Sequence, residues 1–248
     1  MNNTLNILSI DFDFFQKVPK ETILQCFPDG HDFNIPLSNV IWISHYANER
    51  EWSKLLKIKA STKQIAHIRK IIKNNAKNGK PDAMIANSHK HIYDFIAAHH
   101  PTRYNKVHIV NIDMHHDMFN DNQSISCDNW ATHVINEIPN VQFTWIAHGI
   151  SEELFPISNT NLTIKIEDFT ELEQPHWDLV FLCRSDLWTP PHLDQKFTSL
   201  AKTIMQTSAE CQYEPEVLNP RYNATFIENV MNMRKTYEEL KYGQPASR

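Results

Sequence analysis

The feature that most constrains this chain is the recurrence of short, continuously apolar runs separated by stretches with helical periodicity. Strand-like runs fall near 5–12, 40–44, 106–112, 141–147, 162–166 and 178–184, and helical patterns near 62–78, 88–99, 129–138, 192–208 and 224–241. A strand without a polar face is buried on both sides, and strands joined through helices run parallel. The expected fold is α/β: a single three-layer α/β/α domain over 1–248 with a mainly parallel sheet. Its 248 residues are enough for one large core. Segment 208–223, with Pro215 and Pro220, sets off a final amphipathic helix at about 224–241. That helix packs either on the domain or on a second copy of the chain in a homo-oligomer.

Composition removes several function classes. Only four glycines occur, so neither a phosphate-binding loop nor a dinucleotide fingerprint is available. The formal charge of −5 gives no electrostatic case for nucleic acid. The basic stretch 54–80 is interleaved with Ile65, Ile68, Ile71 and Ile72 at helical spacing, and reads as a solvated helix face. Cys26, Cys127, Cys183 and Cys211 lie far apart with no C-x-x-C pair, which argues against a zinc knuckle or disulfide framework and for a reducing compartment. The polar N-terminus runs straight into a strand, leaving no room for a signal peptide. No apolar run approaches the roughly 18–20 residues that span a bilayer. A cytoplasmic protein without membrane contact is expected.

Two of the apolar runs end in acids. Residues 111–117 read Asn-Ile-Asp-Met-His-His-Asp, placing Asp113, His115 and Asp117 at alternate positions beyond a strand. On an extended segment such side chains point the same way, and two carboxylates with an imidazole suit a divalent metal. The bland alternative is a polar strand end with an exposed histidine. Residues 9–15 read Ser-Ile-Asp-Phe-Asp-Phe-Phe, setting Asp11 and Asp13 among bulky apolar neighbours. Burying both carboxylates unpartnered would cost several kcal/mol each, a cost that a shared cation removes. The competing reading is an Asp pair that binds backbone amides at a strand end. A sixth ligand comes from Asn-Ser-His-Lys-His at 87–91, where Ser88 is a candidate helix cap. His89 or His91 supplies it, and the spacing does not separate them. Fourteen histidines are many for this length; only those beside acids enter the metal hypothesis.

The D-x-H-x-D pattern with a histidine two dozen residues upstream, together with a D-x-D after a strand, resembles the ureohydrolase superfamily of arginases and agmatinases. The histone deacetylases are more distant members. The Asp-Phe-Asp-Phe-Phe form, and Arg-Ser-Asp-Leu-Trp-Thr-Pro-Pro at 184–191, look more like an atypical branch, the peptide arginases of ribosomal-peptide pathways. The resemblance covers 5–15, 87–119 and 178–195. In ordinary arginases the D-x-D segment follows the D-x-H-x-D segment; here it precedes it by about one hundred residues. A circular permutation explains this, since strand ends can converge in any chain order. Failing that, Asp186 is the first replacement carboxylate.

The resemblance implies two Mn²⁺ ions per chain. One would be held by His89, Asp113, Asp117 and Asp11, the other by His115, Asp113, Asp11 and Asp13. It further implies hydrolysis, by a hydroxide bridging the ions, of the arginine side chains of a ribosomal precursor peptide, with release of urea and formation of ornithine. The substrate cation needs an anion and the leaving amine a proton carrier. Asp186 is the expected anion, unless it is a turn or cap residue before Thr189-Pro190. His133 and His148 are the candidate shuttles, each with a structural alternative. His116 should point away from the metals and support them from behind. The polar loop 118–124 does not reproduce the pattern by which arginases grip a free amino acid, which favours a peptide substrate. The alternatives are a metal-dependent amidohydrolase or deacetylase acting on acylated amines, and a noncatalytic ligand-binding member of the fold.

Overall fold

The computed structural model describes residues 4–28, 33–119, 124–157, 162–173 and 176–242. Strand β1 (Thr4–Asp11) leads into a short strand β2 (Gln16–Lys17), whose antiparallel partner comes later in the chain, and the helices α1 (Lys20–Cys26), α2 (Ile35–Ala47) and α3 (Glu49–Leu55). Then come β3 (Lys59–Ala60), α4 (Thr62–Asn75), β4 (Asp82–Ala86), α5 (His91–Ala98), β5 (Lys106–Asp113) and α6 (Trp130–Glu137). The chain continues through β6 (Val141–Ala147), α7 (Ser151–Leu154), β7 (Thr163–Ile166) and β8 (Leu179–Cys183). It closes with α8 (Asp194–Thr207), β9 (Cys211–Tyr213) and α9 (Ala224–Tyr242).

Seven strands form one sheet in the order β7-β6-β5-β1-β8-β4-β9, and every pairing in it is parallel. Alternating side chains of the same strands feed two cores, one on each face, giving the expected three layers. Leu8, Ile10, Val110 and Ile112 join the core beneath α2, α4, α8 and α9. Leu5, Ile7, Val107 and Ile109 join the one beneath α5 and α6. The sheet is apolar on both faces because both are covered, which is why its strands lack a polar alternation.

Three sequence expectations need correction. Residues 40–44 are not a strand but lie within α2. Asn34 accepts from the Leu37 amide as its N-cap, and Pro36 sits in the first turn, where its missing amide costs nothing. Four strands are missing from the expected set, β2 and β3 of two residues each, β4 of five and β9 of three. Ser88 does not cap α5; Lys90 stands at the N-cap position, with the Ser88 hydroxyl 3.4 Å from its amide. Helix α9 packs on the domain, burying Phe226 and Val230. Arg234 donates from it to the Tyr46 and Ala47 carbonyls of α2. No helix among the described residues is long and apolar enough to cross a membrane.

Candidate metal centre

The two acid motifs meet because β1 and β5 are neighbours. Their register pairs Ser9 with Asn111 and Ile10 with Ile112, so Asp11 and Asp113 leave the carboxyl edge of the sheet side by side. Ligands gather at that edge in open α/β sheets. Asp13 follows in a 3₁₀ turn whose start is fixed by the Asp11 carboxylate accepting from the Asp13 amide. His89 arrives from the loop after β4. The convergence on which Asp11 and Asp13 depended is therefore present, despite the reversed chain order.

His89 is oriented through its Nε2, 2.7 Å from the Ser9 hydroxyl. Its Nδ1 then lies 2.9 Å from Asp117 Oδ2, 3.0 Å from Asp113 Oδ2 and 3.3 Å from Asp11 Oδ2. It is aligned for a hydrogen bond with none of them. A ring nitrogen facing three carboxylate oxygens at once has the geometry of a ligand. A second group stands beside the first: His115 Nδ1 is 3.0 Å from Asp13 Oδ2 and 3.6 Å from Asp113 Oδ1. Asp13 Oδ2 is buried without a hydrogen-bond partner. Asp11, His89 and Asp113, and Asp13, Asp113 and His115, are thus two buried groups able to hold a metal ion, with Asp113 common to both. Asp117 belongs with the first, although its Oδ2 also accepts from Trp130 Nε1 at 2.6 Å. His91 lies on α5, lining a separate cavity.

Electrostatics shows the strain that a cation would relieve. Burial, then Asp13 and Asp113, push the Asp11 carboxyl up to about 7. Burial and Asp113 raise Asp13 to about 6 and Asp117 to about 7. Burial acts on Asp113 in the same sense, but the adjacent His115 and His89 imidazoles outweigh it and hold that carboxyl well below the usual range. Burial would depress both imidazoles; Asp117, Asp11 and Asp113 around His89, and Asp13 and Asp113 around His115, carry them well above it. Four acids against two imidazoles leave an excess of negative charge in a dry site. Divalent cations on the oxygen and nitrogen atoms just described would replace the protons these acids otherwise retain, so the donor set fits a metal.

Supporting contacts come from further out. Asn111 Nδ2 donates to Asp113 Oδ2 at 3.2 Å, and Trp145 Nε1 to the Asp113 carbonyl at 3.0 Å. His116 turns away from the cluster as expected. Its Nδ1 accepts from the Met118 amide, its ring lies 4.0 Å from Phe119, and burial lowers its pKa to about 4. Asp117 and Ser185 hold φ of 53° and 54°, left-handed values that non-glycine residues adopt at a cost and that concentrate at functional sites.

In front of the carboxylates lies a cavity of about 240 Å³ with Asp11, His89, His115 and Asp117 in its wall. Phe119, Phe155 and Trp188 supply apolar sides, and Cys127, Asp128 and Ser185 complete the lining. The Phe155 and Trp188 rings both approach His115 to 4.3 Å. The sequence reading missed this wall; the aromatic residues scatter along the chain, and no spacing joins them. Residues 120–123 of the polar loop lie outside the described residues.

The three expected partners in catalysis are not in this cavity. Both Asp186 oxygens are taken by Arg184, with Nε at 2.5 Å from Oδ1 and Nη2 at 3.0 Å from Oδ2, and Arg221 Nη1 stands 3.7 Å away. An anion already neutralised inside the protein cannot serve a second guanidinium at full strength. His133 lies on α6 with its Nδ1 3.4 Å from Glu137, four residues on. His148 uses both nitrogens on backbone, Nε2 at 3.0 Å from the Gln16 carbonyl and Nδ1 accepting from the Ile150 amide. Burial lowers its pKa, and it faces a different groove. No protein-family model, curated protein or solved structure matches this chain.

Proposed function

We propose that this protein is a metal-dependent hydrolase whose substrate is the guanidinium of an arginine side chain in a peptide, converted to ornithine with release of urea. The observation that carries the reading is the shared Asp113: one buried carboxylate serving two adjacent His–carboxylate groups that open on one cavity. Such a donor set suits a pair of hard-to-borderline divalent ions, and Mn²⁺ is the proposed metal. His89, Asp11, Asp113 and Asp117 would hold one ion, and His115, Asp13 and Asp113 the other. Bound metal would supply Lewis acidity and a water acidic enough to attack near neutral pH.

The remaining chemistry falls to the chain itself. With Asp186 committed to Arg184, the carboxylate placed to meet a cationic substrate is Asp128, in the cavity wall. Phe119, Phe155 and Trp188 present ring faces and edges to a planar cation and exclude water around it. A cavity of about 240 Å³ accommodates an arginine side chain. Ser9 fixes the His89 ring, and Asn111 and the Trp145 indole fix Asp113, so the ligands would be held before a metal arrives.

The test is incubation of the Mn²⁺-loaded protein with an arginine-containing peptide, free arginine and an acetyl-lysine peptide. Urea release, with a loss of about 42 Da per modified arginine as water adds and urea leaves, is expected from the first alone. Deacetylation of the third would transfer the site to the amidohydrolase reading. Metal binding with no turnover of any would leave a ligand-binding protein.

A further inference from the structure

The basic stretch around α4 does more than face solvent. Ile65, Ile68 and Ile72 turn into the core. Lys63, His67 and Lys70, spaced by four and three residues, then share one outer stripe. That stripe lines a groove of about 1070 Å³, opposite Lys17 at the end of β2. Lys17, Lys63 and Lys70 are exposed, and none makes an ion pair among the described residues. Glu167 is the single acid in the lining, within 3.5 Å of Gln64 Nε2. Three uncompensated lysines in one groove, on a chain of formal charge −5, make a local anion-attracting surface.

A second observation ties the groove to the metal cavity. Gln16 also lines the groove, is 1 % exposed, and leaves its Oε1 without a hydrogen-bond partner. Its Nε2 donates at 2.5 Å to the carbonyl of Trp188, the residue that walls the metal cavity. Lysines spread along a groove of this size suit a chain carrying several carboxylates, as an acidic peptide does. We propose that the groove between β2 and α4 binds an acidic segment of the peptide substrate, an inference that rests on the peptide reading above. The Gln16–Trp188 contact joins the groove lining to a residue of the cavity wall, so the groove and the cavity are neighbours.

Binding can be tested apart from turnover. A fluorescent peptide rich in Asp and Glu and free of arginine is titrated into the full-length Mn²⁺-loaded protein, beside its Asn/Gln counterpart and a single-stranded RNA of equal charge. Saturable binding of the acidic peptide alone is expected, weakening with salt. Lys63→Glu with Lys70→Glu should lower its affinity roughly tenfold, and Lys63→Gln with Lys70→Gln less, at unchanged melting temperature. Equal binding of the neutral peptide, tighter binding of RNA, or indifference to both double variants would overturn the proposal. If the acidic peptide binds as expected while arginine peptides release no urea, the groove stands and the hydrolase reading falls.

Discussion

Asp113 turns Oδ1 toward His115 and Oδ2 toward His89, so one carboxylate is shared by both candidate ligand groups. Asp113→Asn keeps the side-chain shape and removes the charge. At a hundredfold excess over Kd, a metal stabilises the wild type by about 2.7 kcal/mol per site, or roughly 5–10 °C in Tm for a chain of this size. That rise should vanish in Asp113→Asn and persist in part in Asp117→Asn, because Asp117 approaches only the His89 group. Two equivalents of Mn²⁺ retained by Asp113→Asn, measured by elemental analysis, would refute the sharing. Asp186 calls for a different expectation. Its partner Arg184 is fully buried. Asp186→Asn should cost about 3–5 kcal/mol of folding stability by breaking this buried bidentate pair and leaving Arg184 only Asp194, 3.8 Å away, visible in chemical denaturation. Unchanged stability with a raised KM for peptide would return Asp186 to the substrate. At this scale the residues able to hold a metal were legible because each motif is local: Asp11 with Asp13, and Asp113 with His115 and Asp117. The role of Asp186 was not, because it depends on Arg184 folding back beside it and on Arg221, thirty-five residues away.

Among the elements, the long amphipathic helices and the buried strands were readable from period and hydropathy. Residues 40–44 failed because a short apolar run inside a helix looks like a strand; the Asn34 cap and Pro36 carried the contrary signal. Strands β4 and β9 failed because they are too short to show a pattern. Tertiary contacts also decide histidines that sequence leaves open. His192, in the 3₁₀ turn before α8, pairs its Nδ1 with the Tyr46 hydroxyl of α2 and its Nε2 with the Ile58 carbonyl at 3.0 Å. Burial holds its pKa below the ordinary 6.5, so the folded state keeps it neutral where the unfolded chain takes up a proton. The stability it contributes is present above that value and is lost as pH falls below it. Wild-type Tm should therefore drop more steeply than that of His192→Gln between about pH 7 and about pH 5. Parallel pH profiles would show that His192 does not contribute to acid sensitivity.

For the whole molecule, parallel pairing and three layers were legible, but the strand order was not, since it records which crossovers pass over which face. That order sets the first strand at the centre, between β5 and β8. During translation β1 leaves the ribosome with no sheet partner. Residues 106–113 follow roughly 5–20 s later at usual synthesis rates, and 179–183 later still. Until then Leu5, Ile7, Leu8 and Ile10, all fully buried in the finished fold, have nothing to cover them. The nascent chain carries this apolar strand unpaired for longest, so slower elongation or loss of chaperone protection should lower the yield of folded protein without changing the stability of the completed sheet.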